Sequence, residues 1–228
     1  KRIGNLTEQV KYKEELKIQA NMRTLQAQIN PHFLYNTLSS IRWMALMKKE
    51  KEIADMVGNL GDFLQFSLNK GREFCTVEQE VAHARHYGNI QSIRFPDKFD
   101  IEFEVAEEML GMSMLKLLLQ PLIENALIHG IQQKEGRGRV LVSGYLQNDG
   151  MVFAIEDDGV GFRKERLDEL LAILDKPVDS DEHAIGSYGI RNVHQRLTLY
   201  YGDRAGLQIR SKEGKGTKVQ FMIPLMDQ

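Results

Sequence analysis

The sequence predicts an α+β chain in which a long helical hairpin precedes an α/β sandwich with a mixed sheet. Apolar residues near the start of the chain recur at three- and four-residue spacing, which is typical of amphipathic helices. Further along, alternating strand patterns are interleaved with helical segments and hairpin turns. We therefore expect two domains, residues 1–70 and 71–228, with the helices of the second on one face of its sheet.

The composition is that of a globular protein and excludes several functional classes. The 228 residues are 42% hydrophobic and 27% charged, and the net charge of −2 leaves no basic face for nucleic acid. The single cysteine, Cys75, excludes an internal disulfide. No segment reaches the roughly 18 apolar residues of a membrane-spanning helix. Because the chain starts at Lys1 inside a helical pattern, we expect any membrane attachment to lie upstream.

Two helices are predicted in the first domain. The first is expected from Leu6 to Lys49, with a shift in its apolar register at Pro31, and a polar connection follows over Lys48–Glu52. The second helix has four apolar residues on one face: Ile53, Val57, Leu60 and Leu64. Two such helices cannot cover both apolar faces, so we expect a dimer that forms a four-helix bundle. The alternative is a helical pair packed on the rest of the chain.

The second domain is predicted to follow a polar break at Lys70–Cys75. Thr76 and Gln79 have the spacing of a capping box, which predicts a helix running to about Ser92. The remaining elements are expected as strands over 101–105, 139–147, 151–157, 207–211 and 218–223, and as helices over 112–129, 163–174 and 189–201. The polar stretch 176–186 is expected to be mobile.

The first candidate site residue is His32. An interior proline such as Pro31 bends a helix, which would turn the next side chain away from the apolar seam. A neutral imidazole nitrogen is a competent nucleophile. Asn36 lies one turn on, where its amide can orient the ring. An isolated histidine is more often an ordinary surface or interface residue, and this alternative stays open on the spacing alone.

A second group of candidates lies on the helix predicted over 112–129. Pro121, Asn125 and His129 share one face at four-residue spacing. The amide oxygen of Asn125 can ligate Mg²⁺, a hard ion that also takes phosphate oxygens and water. Glu124 adjoins it and can act as a general base. The alternatives are a satisfied polar core group for Asn125 and a solvated or salt-bridged carboxylate for Glu124.

Three glycine-containing segments follow. Asp157 stands at a strand end, where a carboxylate can accept from an adenine amino group, while Gly159 and Gly161 let backbone approach a nucleotide. Gly186 and Gly189 lead into a helix, whose N-terminal amides favour phosphate. The third segment, Gly-Lys-Gly-Thr at 214–217, by itself predicts only a hairpin turn.

Taken in order, these segments resemble the histidine kinases. Gln28–Asn36 contains Asn-Pro-His-Phe and resembles the phosphoacceptor box of one histidine kinase subfamily. Residues 119–130 resemble the N-box of the ATP-binding superfamily that includes gyrase, Hsp90, MutL and histidine kinases. The segments at 157–162, 186–192 and 214–217 are similar to its G1, G2 and Gly-Thr boxes. The resemblance extends from about Leu25 to Pro224, nearly the whole chain.

This resemblance implies a Bergerat-type ATP-binding fold and the catalytic core of a two-component sensor histidine kinase. Such a kinase uses Mg-ATP to phosphorylate His32, assisted by Asn36 and Glu124, and passes the phosphoryl group to a response-regulator aspartate. Asp157 and Thr217 would select adenine, and Asn125 would hold Mg²⁺. The implied ATP-binding set also contains His129, Gly159, Gly161, Gly186, Gly189 and Arg191. The resemblance further implies a homodimer forming the cytoplasmic portion of a membrane-bound receptor, with a receiver domain as partner.

Three positions depart from the family pattern. Ser187 stands where the G2 box has glycine, and Ile128 stands where related N-boxes have lysine. Pro121 stands where hydrolytic members carry a glutamate that activates water, which favours transfer to a histidine over hydrolysis. Two alternatives stay open. Steady phosphate release would support a gyrase–Hsp90-type ATPase, and failure to bind ATP would support a non-catalytic dimeric scaffold.

Overall fold

The computed structural model of the protein describes residues 31–68, 73–174 and 188–225. The chain divides into two compact units, Lys1–Lys70 and Gly71–Gln228. The predicted start of the first helix at Leu6 and the predicted mobile stretch 176–186 lie outside the described residues. Within the described ranges, every helix is too short or too polar to cross a membrane.

The described part of the first unit is a helical hairpin, as predicted. Helix α1 spans Pro31–Met47 and helix α2 spans Lys51–Leu68. The turn between them closes where the Glu50 N–H donates to the Ala45 carbonyl at 2.9 Å. At the other end of the hairpin, the Tyr35 hydroxyl donates to the carbonyl of Leu64 at 3.1 Å, which makes the helices antiparallel.

The second unit combines helices with two sheets. Its described elements are, in chain order, β1 Phe74–Thr76, α3 Val77–Arg94, β2 Phe99–Val105, β3 Ser113–Leu115, α4 Leu119–Asn125, β4 Gly138–Gln147, β5 Gly150–Asp157, α5 Lys164–Leu174, α6 Tyr188–Tyr201, β6 Gln208–Lys212 and β7 Gly216–Pro224. Helix α4 continues into a π-helical turn over Ala126–Ile131. Such turns are rare and are frequently found at functional sites.

The main sheet is mixed, which confirms the predicted fold class. Its strand order is β2-β4-β5-β7-β6, with β2 parallel to β4 and every other pair antiparallel. Strands β4 and β5 are joined at Asn148, whose φ of 51° is the left-handed conformation that a tight hairpin turn requires. All side chains of Met151–Ile155 are buried in β5, the central strand of this sheet.

The prediction for the start of the second unit was wrong in two places. The predicted polar break contains strand β1, which pairs antiparallel with β3. The helix predicted from Met112 begins only at Leu119, because Ser113–Leu115 extend to pair with β1 and Leu117 then takes a left-handed φ of 59°. The capping box is confirmed, since the Gln79 N–H donates to Thr76 Oγ1 at 3.3 Å. Helix α3 ends at Arg94 rather than at about Ser92.

Candidate functional site

His32 and Asn36 form an exposed pair on α1. Asn36 Nδ2 lies 3.2 Å from His32 Nδ1. An amide carries both a donor and an acceptor, so Asn36 can hold the ring in either tautomer. When the amide oxygen accepts the Nδ1 proton, Nε2 keeps a free lone pair and can act as a nucleophile. The bend predicted at Pro31 involves residues before it, which lie outside the described part.

A cavity of about 300 Å³ lies in the second unit between α4, its π-helical continuation and the first turn of α6. The residues that line it are Pro121, Glu124, Asn125, Ile128, His129, Tyr188, Gly189 and Ile190. The face predicted from four-residue spacing on α4 therefore lines one cavity. The prediction did not include Tyr188. This residue lies directly before Gly189 in α6, and no sequence pattern marks it as a site residue.

The oxygen of Asn125 is the most unusual atom in this cavity. Oδ1 is buried and has no hydrogen-bond partner among the described residues. A buried acceptor left unpaired costs about 1–3 kcal/mol, so such atoms call for a ligand or another explanation. The alternative of a satisfied core group does not hold for this oxygen.

The oxygen of Asn125 suits a Mg²⁺ ion that takes most of its other ligands from phosphate and water. An amide oxygen is a hard ligand, and Mg²⁺ usually takes one or two protein oxygens together with phosphate oxygens and water. In the described ranges, we find no cluster of three or more His, Cys, Asp or Glu side chains that could enclose a metal by themselves. The residues present therefore fit a metal that arrives with phosphates.

The other predicted residues near α4 and α6 have different surroundings. Glu124 is half-buried, and its Oε2 accepts from Gln120 Nε2 at 3.3 Å. A Cβ on Gly189 would lie 3.6 Å from Pro121 Cβ, an ordinary contact, so local packing does not require glycine there. Arg191 is only 3% exposed and is not among the described residues that line the cavity. Gly186 lies outside the described residues.

Asp157 stands at the end of β5 and is mostly buried. Its Oδ1 accepts from the Gly159 N–H at 2.9 Å, and the Thr217 N–H also donates to this carboxylate. Burial raises the pKa of Asp157 to about 6, and these two donors oppose the rise. The neighbouring Asp158 instead forms an ion pair with Lys134 at 2.9 Å. Asp157 is therefore a carboxylate held at the sheet end, and no cationic side chain among the described residues forms an ion pair with it.

The glycines of this region allow backbones to touch. A Cβ on Gly159 would lie 2.6 Å from Gly130 Cα, and one on Gly130 would lie 2.7 Å from Asp157 Oδ1. The Val160 N–H donates to the Gly130 carbonyl at 3.1 Å. Gly161 has a φ of 66°, and a Cβ there would overlap the carbonyl group of Lys212. The loop after β5 is thus in contact with the π-helical turn that follows Asn125.

Ser211 holds the loop after β5 against the β6–β7 hairpin, and it was not predicted. Its Oγ accepts from the Phe162 N–H at 2.8 Å and donates to the Gly216 carbonyl at 2.9 Å. The same Oγ lies 2.9 Å from Thr217 Oγ1. A serine within a predicted strand carries no sequence signal for this role. The predicted residues Asp157, Gly159, Gly161 and Thr217 are brought together here, and Gly130 connects them to the Asn125 cavity.

Comparison with known proteins agrees with this geometry. A histidine kinase family model matches residues 20–99. The model of the histidine kinase-, DNA gyrase B- and HSP90-like ATPases matches residues 112–227, more than half of the chain. The chain belongs to this ATPase family. The cavity and the Asp157 cluster both lie within the matched range.

Curated relatives of this family member are sensor histidine kinases. The chain is 32% identical over 224 residues to sensor histidine kinase YesM of Bacillus subtilis (strain 168), covering 98% of this chain and 37% of YesM. It is 32% identical over 211 residues to sensor histidine kinase YpdA of Escherichia coli (strain K12), covering 92% of this chain and 35% of YpdA. The chain thus spans little more than a third of the length of these relatives.

A solved structure supports the assignment of the fold of this family member. The catalytic domain of histidine kinase ThkA aligns with a TM-score of 0.50 at 12% identity, covering 68% of this chain and 100% of that chain. At this identity, the likeness concerns the fold alone. The mixed sheet with its packed helices is therefore the fold of an ATPase-family catalytic domain.

Proposed function

We propose that the chain is the catalytic core of a two-component sensor histidine kinase that uses Mg·ATP to phosphorylate its own His32. The observation that carries the proposal is the buried oxygen of Asn125, which has no partner among the described residues and lies at a cavity that Glu124 and His129 also line. The sensor histidine kinases YesM and YpdA, as relatives, support it, as does the histidine kinase model over residues 20–99, which include His32. We place the chain in the subfamily with an Asn-Pro-His-Phe box, residues 30–33.

In this proposal, the second unit is the ATP-binding domain. The Asp157 carboxylate accepts from the adenine amino group, and Thr217 lies beside it in the paired strand. Asn125 ligates Mg²⁺, which neutralises phosphate charge when bound. Gly159 and Gly161 let the loop backbone approach the nucleotide. The nucleotide set is completed by His129, Gly186, Gly189 and Arg191.

The first unit, residues 1–70, is the dimerisation and phosphotransfer domain. A ring nitrogen of His32 donates its lone pair to the γ-phosphorus, so an N–P bond forms while the bond to the β,γ-bridging oxygen breaks. ADP leaves with that electron pair. Asn36 orients the ring through Nδ1, and Glu124 accepts the proton that the ring gives up.

The proposed partners follow from this chemistry. A receiver domain of a response regulator takes the phosphoryl group from His32 onto an aspartate, and nucleic acid is not a partner. The kinase acts as a homodimer through the helical hairpin. It forms the cytoplasmic portion of a membrane-bound receptor.

Labelling from γ-labelled ATP tests the proposal. With Mg²⁺ present, we expect acid-labile label that maps to His32. His32→Ala should lose the label and keep its affinity for ADP within about twofold, because the mutation leaves the second unit intact. Ser39→Ala, an exposed control on the same helix, should keep the label.

Two results would contradict this proposal. Acid-labile label on the His32→Ala chain would mean that another residue is the acceptor. Steady phosphate release without a phosphoprotein would favour the gyrase–Hsp90-type ATPase instead.

A further inference from the structure

The side chain of the residue that precedes helix α4 does not cap the helix. Leu118, which precedes the helix, provides no side-chain hydrogen bond to it. The residue before, Leu117, has the left-handed φ of 59° that non-glycine residues rarely adopt. The first N–H groups of a helix need partners, and a strained residue persists only where its surroundings hold it. Groups from elsewhere in the fold must therefore fix the start of α4.

Glu80 from α3 provides the acceptors. Its Oε1 accepts from the N–H groups of Leu118 at 2.7 Å and Leu119 at 2.9 Å. Its Oε2 accepts from the N–H of Leu117 at 2.8 Å. The side chain is completely buried. A buried carboxylate on three backbone donors is a strong, directional anchor, and its charge is favourable at a helix N-terminus.

Arg196 from α6 holds the same segment from the other side. Its Nη2 donates to the Lys116 carbonyl at 2.7 Å and its Nη1 donates to the Leu117 carbonyl at 3.2 Å. The first turn of α6 lines the Asn125 cavity together with α4. Arg196 therefore ties the two walls of the cavity to each other.

We propose that Glu80 and Arg196 are positioning residues that set the place of the Asn125 oxygen by fixing the start of α4. Among the described residues, no hydrogen bond holds that oxygen, so its place depends on the helix that carries it. The inference rests on the proposed function, in which this oxygen ligates the metal that accompanies the nucleotide. Asp157 and Thr217 are instead held by the paired strands β5 and β7, whose register does not include the start of α4.

This arrangement separates two parts of nucleotide affinity. The metal-dependent part requires Asn125 and therefore Glu80. The part that remains without metal depends on the sheet end. Calorimetric titration of the full chain with ADP, in Mg²⁺ and again in EDTA, measures both. We expect Glu80→Ala to weaken binding in Mg²⁺ by about tenfold or more and to change binding in EDTA by less than about twofold.

Two milder variants test the same anchor of α4. In Glu80→Gln, an amide oxygen in place of Oε1 can keep the bonds to Leu118 and Leu119, while the bond to Leu117 is lost. Its loss in Mg²⁺ should therefore lie between those of wild type and Glu80→Ala. Arg196→Met keeps an unbranched side chain without the two donated bonds, and it should also weaken binding only in Mg²⁺.

Three control variants exclude general effects. Glu78→Gln on α3 and Arg210→Met on β6 remove exposed charges and should leave both affinities unchanged. Ile223→Val removes one buried methylene from β7, away from Thr217, and lowers stability without touching α4. It should leave the ratio of the two affinities unchanged.

The outcomes distinguish this inference from the proposed function. Equal losses in Mg²⁺ and EDTA, or no loss in either, would overturn the positioning role. If Glu80→Ala does not fold, Glu80→Gln and Arg196→Met decide the question. A wild-type chain that binds no ADP, or binds it equally well with and without Mg²⁺, would contradict the proposed function itself.

Discussion

Asp157 is a residue whose proposed role opposes the stability of the fold. Burial raises its pKa to about 6, compared with the ordinary value of 3.8. Acceptance of an adenine amino group requires the ionised form, which burial disfavours. The Gly159 and Thr217 donors reduce this cost without removing it. Keeping this carboxylate ionised for a ligand therefore lowers the free energy of unfolding.

Replacement of Asp157 by Asn should make this cost measurable. Because the folded pKa lies above the unfolded one, the folded state binds more protons between about pH 4 and pH 6, and wild-type stability falls as pH rises through that window. We expect wild type to lose up to about 3 kcal/mol relative to Asp157→Asn between pH 4 and pH 7. Urea unfolding without nucleotide measures the difference.

Asp158→Asn is the matched control for this titration. Burial acts to raise the pKa of Asp158, but hydrogen bonds from Arg139 and Lys134 outweigh it and lower that pKa below 3.8. Its titration therefore lies below the window, and wild type should not lose stability relative to this variant there. A wild-type curve parallel to that of Asp157→Asn would contradict the raised pKa.

At the scale of elements, the β6–β7 hairpin is fitted closely to the end of β5. Gly216 has a φ of 87°, and a Cβ there would overlap the Asp157 carbonyl oxygen. Gly214 in the same turn has a φ of 71°, with open space around its Cβ position. The two glycines share the left-handed conformation and differ in packing. This difference separates backbone strain from steric overlap.

Alanine at these two positions should give unequal losses. Gly214→Ala adds only left-handed strain, about 1 kcal/mol. Gly216→Ala adds overlap with backbone that cannot move freely, so we expect a loss of at least about 3 kcal/mol and weaker ADP binding. Thermal unfolding and ADP titration check both effects. Equal losses in the two variants would mean that the hairpin is not packed as closely as described.

The elements predicted best from sequence are those with long local patterns. Strands β4 and β5 and helix α6 have periodic patterns and turn residues of their own, and the capping box of α3 is a local signal. The segment 112–118 was predicted wrongly because its conformation is decided by partners distant in sequence. Strand β1 pairs with β3, and Glu80 accepts from residues 37–39 positions away.

The same distinction holds for the candidate site. Motif residues such as Asn125 and Asp157 could be located because family resemblance marks them. Glu80, Arg196 and Ser211 instead donate to or accept from the backbone of neighbouring segments. Such a role places no demand on neighbouring sequence, so no spacing rule could find these residues.

At the scale of the molecule, the hairpin unit keeps a large apolar surface. Trp43 is 67% exposed and Met47 is 76% exposed within the chain. Other exposed apolar side chains on the hairpin are Phe33, Met44, Leu46 and Ile53. Several large apolar side chains exposed on one hairpin are typical of an interaction site in soluble proteins. It supports the proposed homodimer.

Charges on this surface should separate the protomers. We expect wild type to run at twice the 26.2 kDa chain mass in light scattering. Trp43→Glu with Met47→Glu should raise the dimer dissociation constant by at least about tenfold, since like charges would meet in an apolar interface. Leu199→Glu, at an 80% exposed position in the second unit, should remain dimeric. A monomeric wild type, or a dimeric double variant, would contradict the prediction.

The position of β5 in the sheet has a consequence for how the protein is made. Its apolar segment Met151–Ile155 pairs with β4, which is synthesised just before it, and with β7, which begins only at Gly216. At about 5–20 residues per second, the ribosome takes roughly 3–12 seconds to add the chain between them. Throughout that time, the nascent strand has an open, aggregation-prone edge. Chaperone cover during translation therefore matters for this domain, and a product truncated before residue 216 would keep that edge permanently.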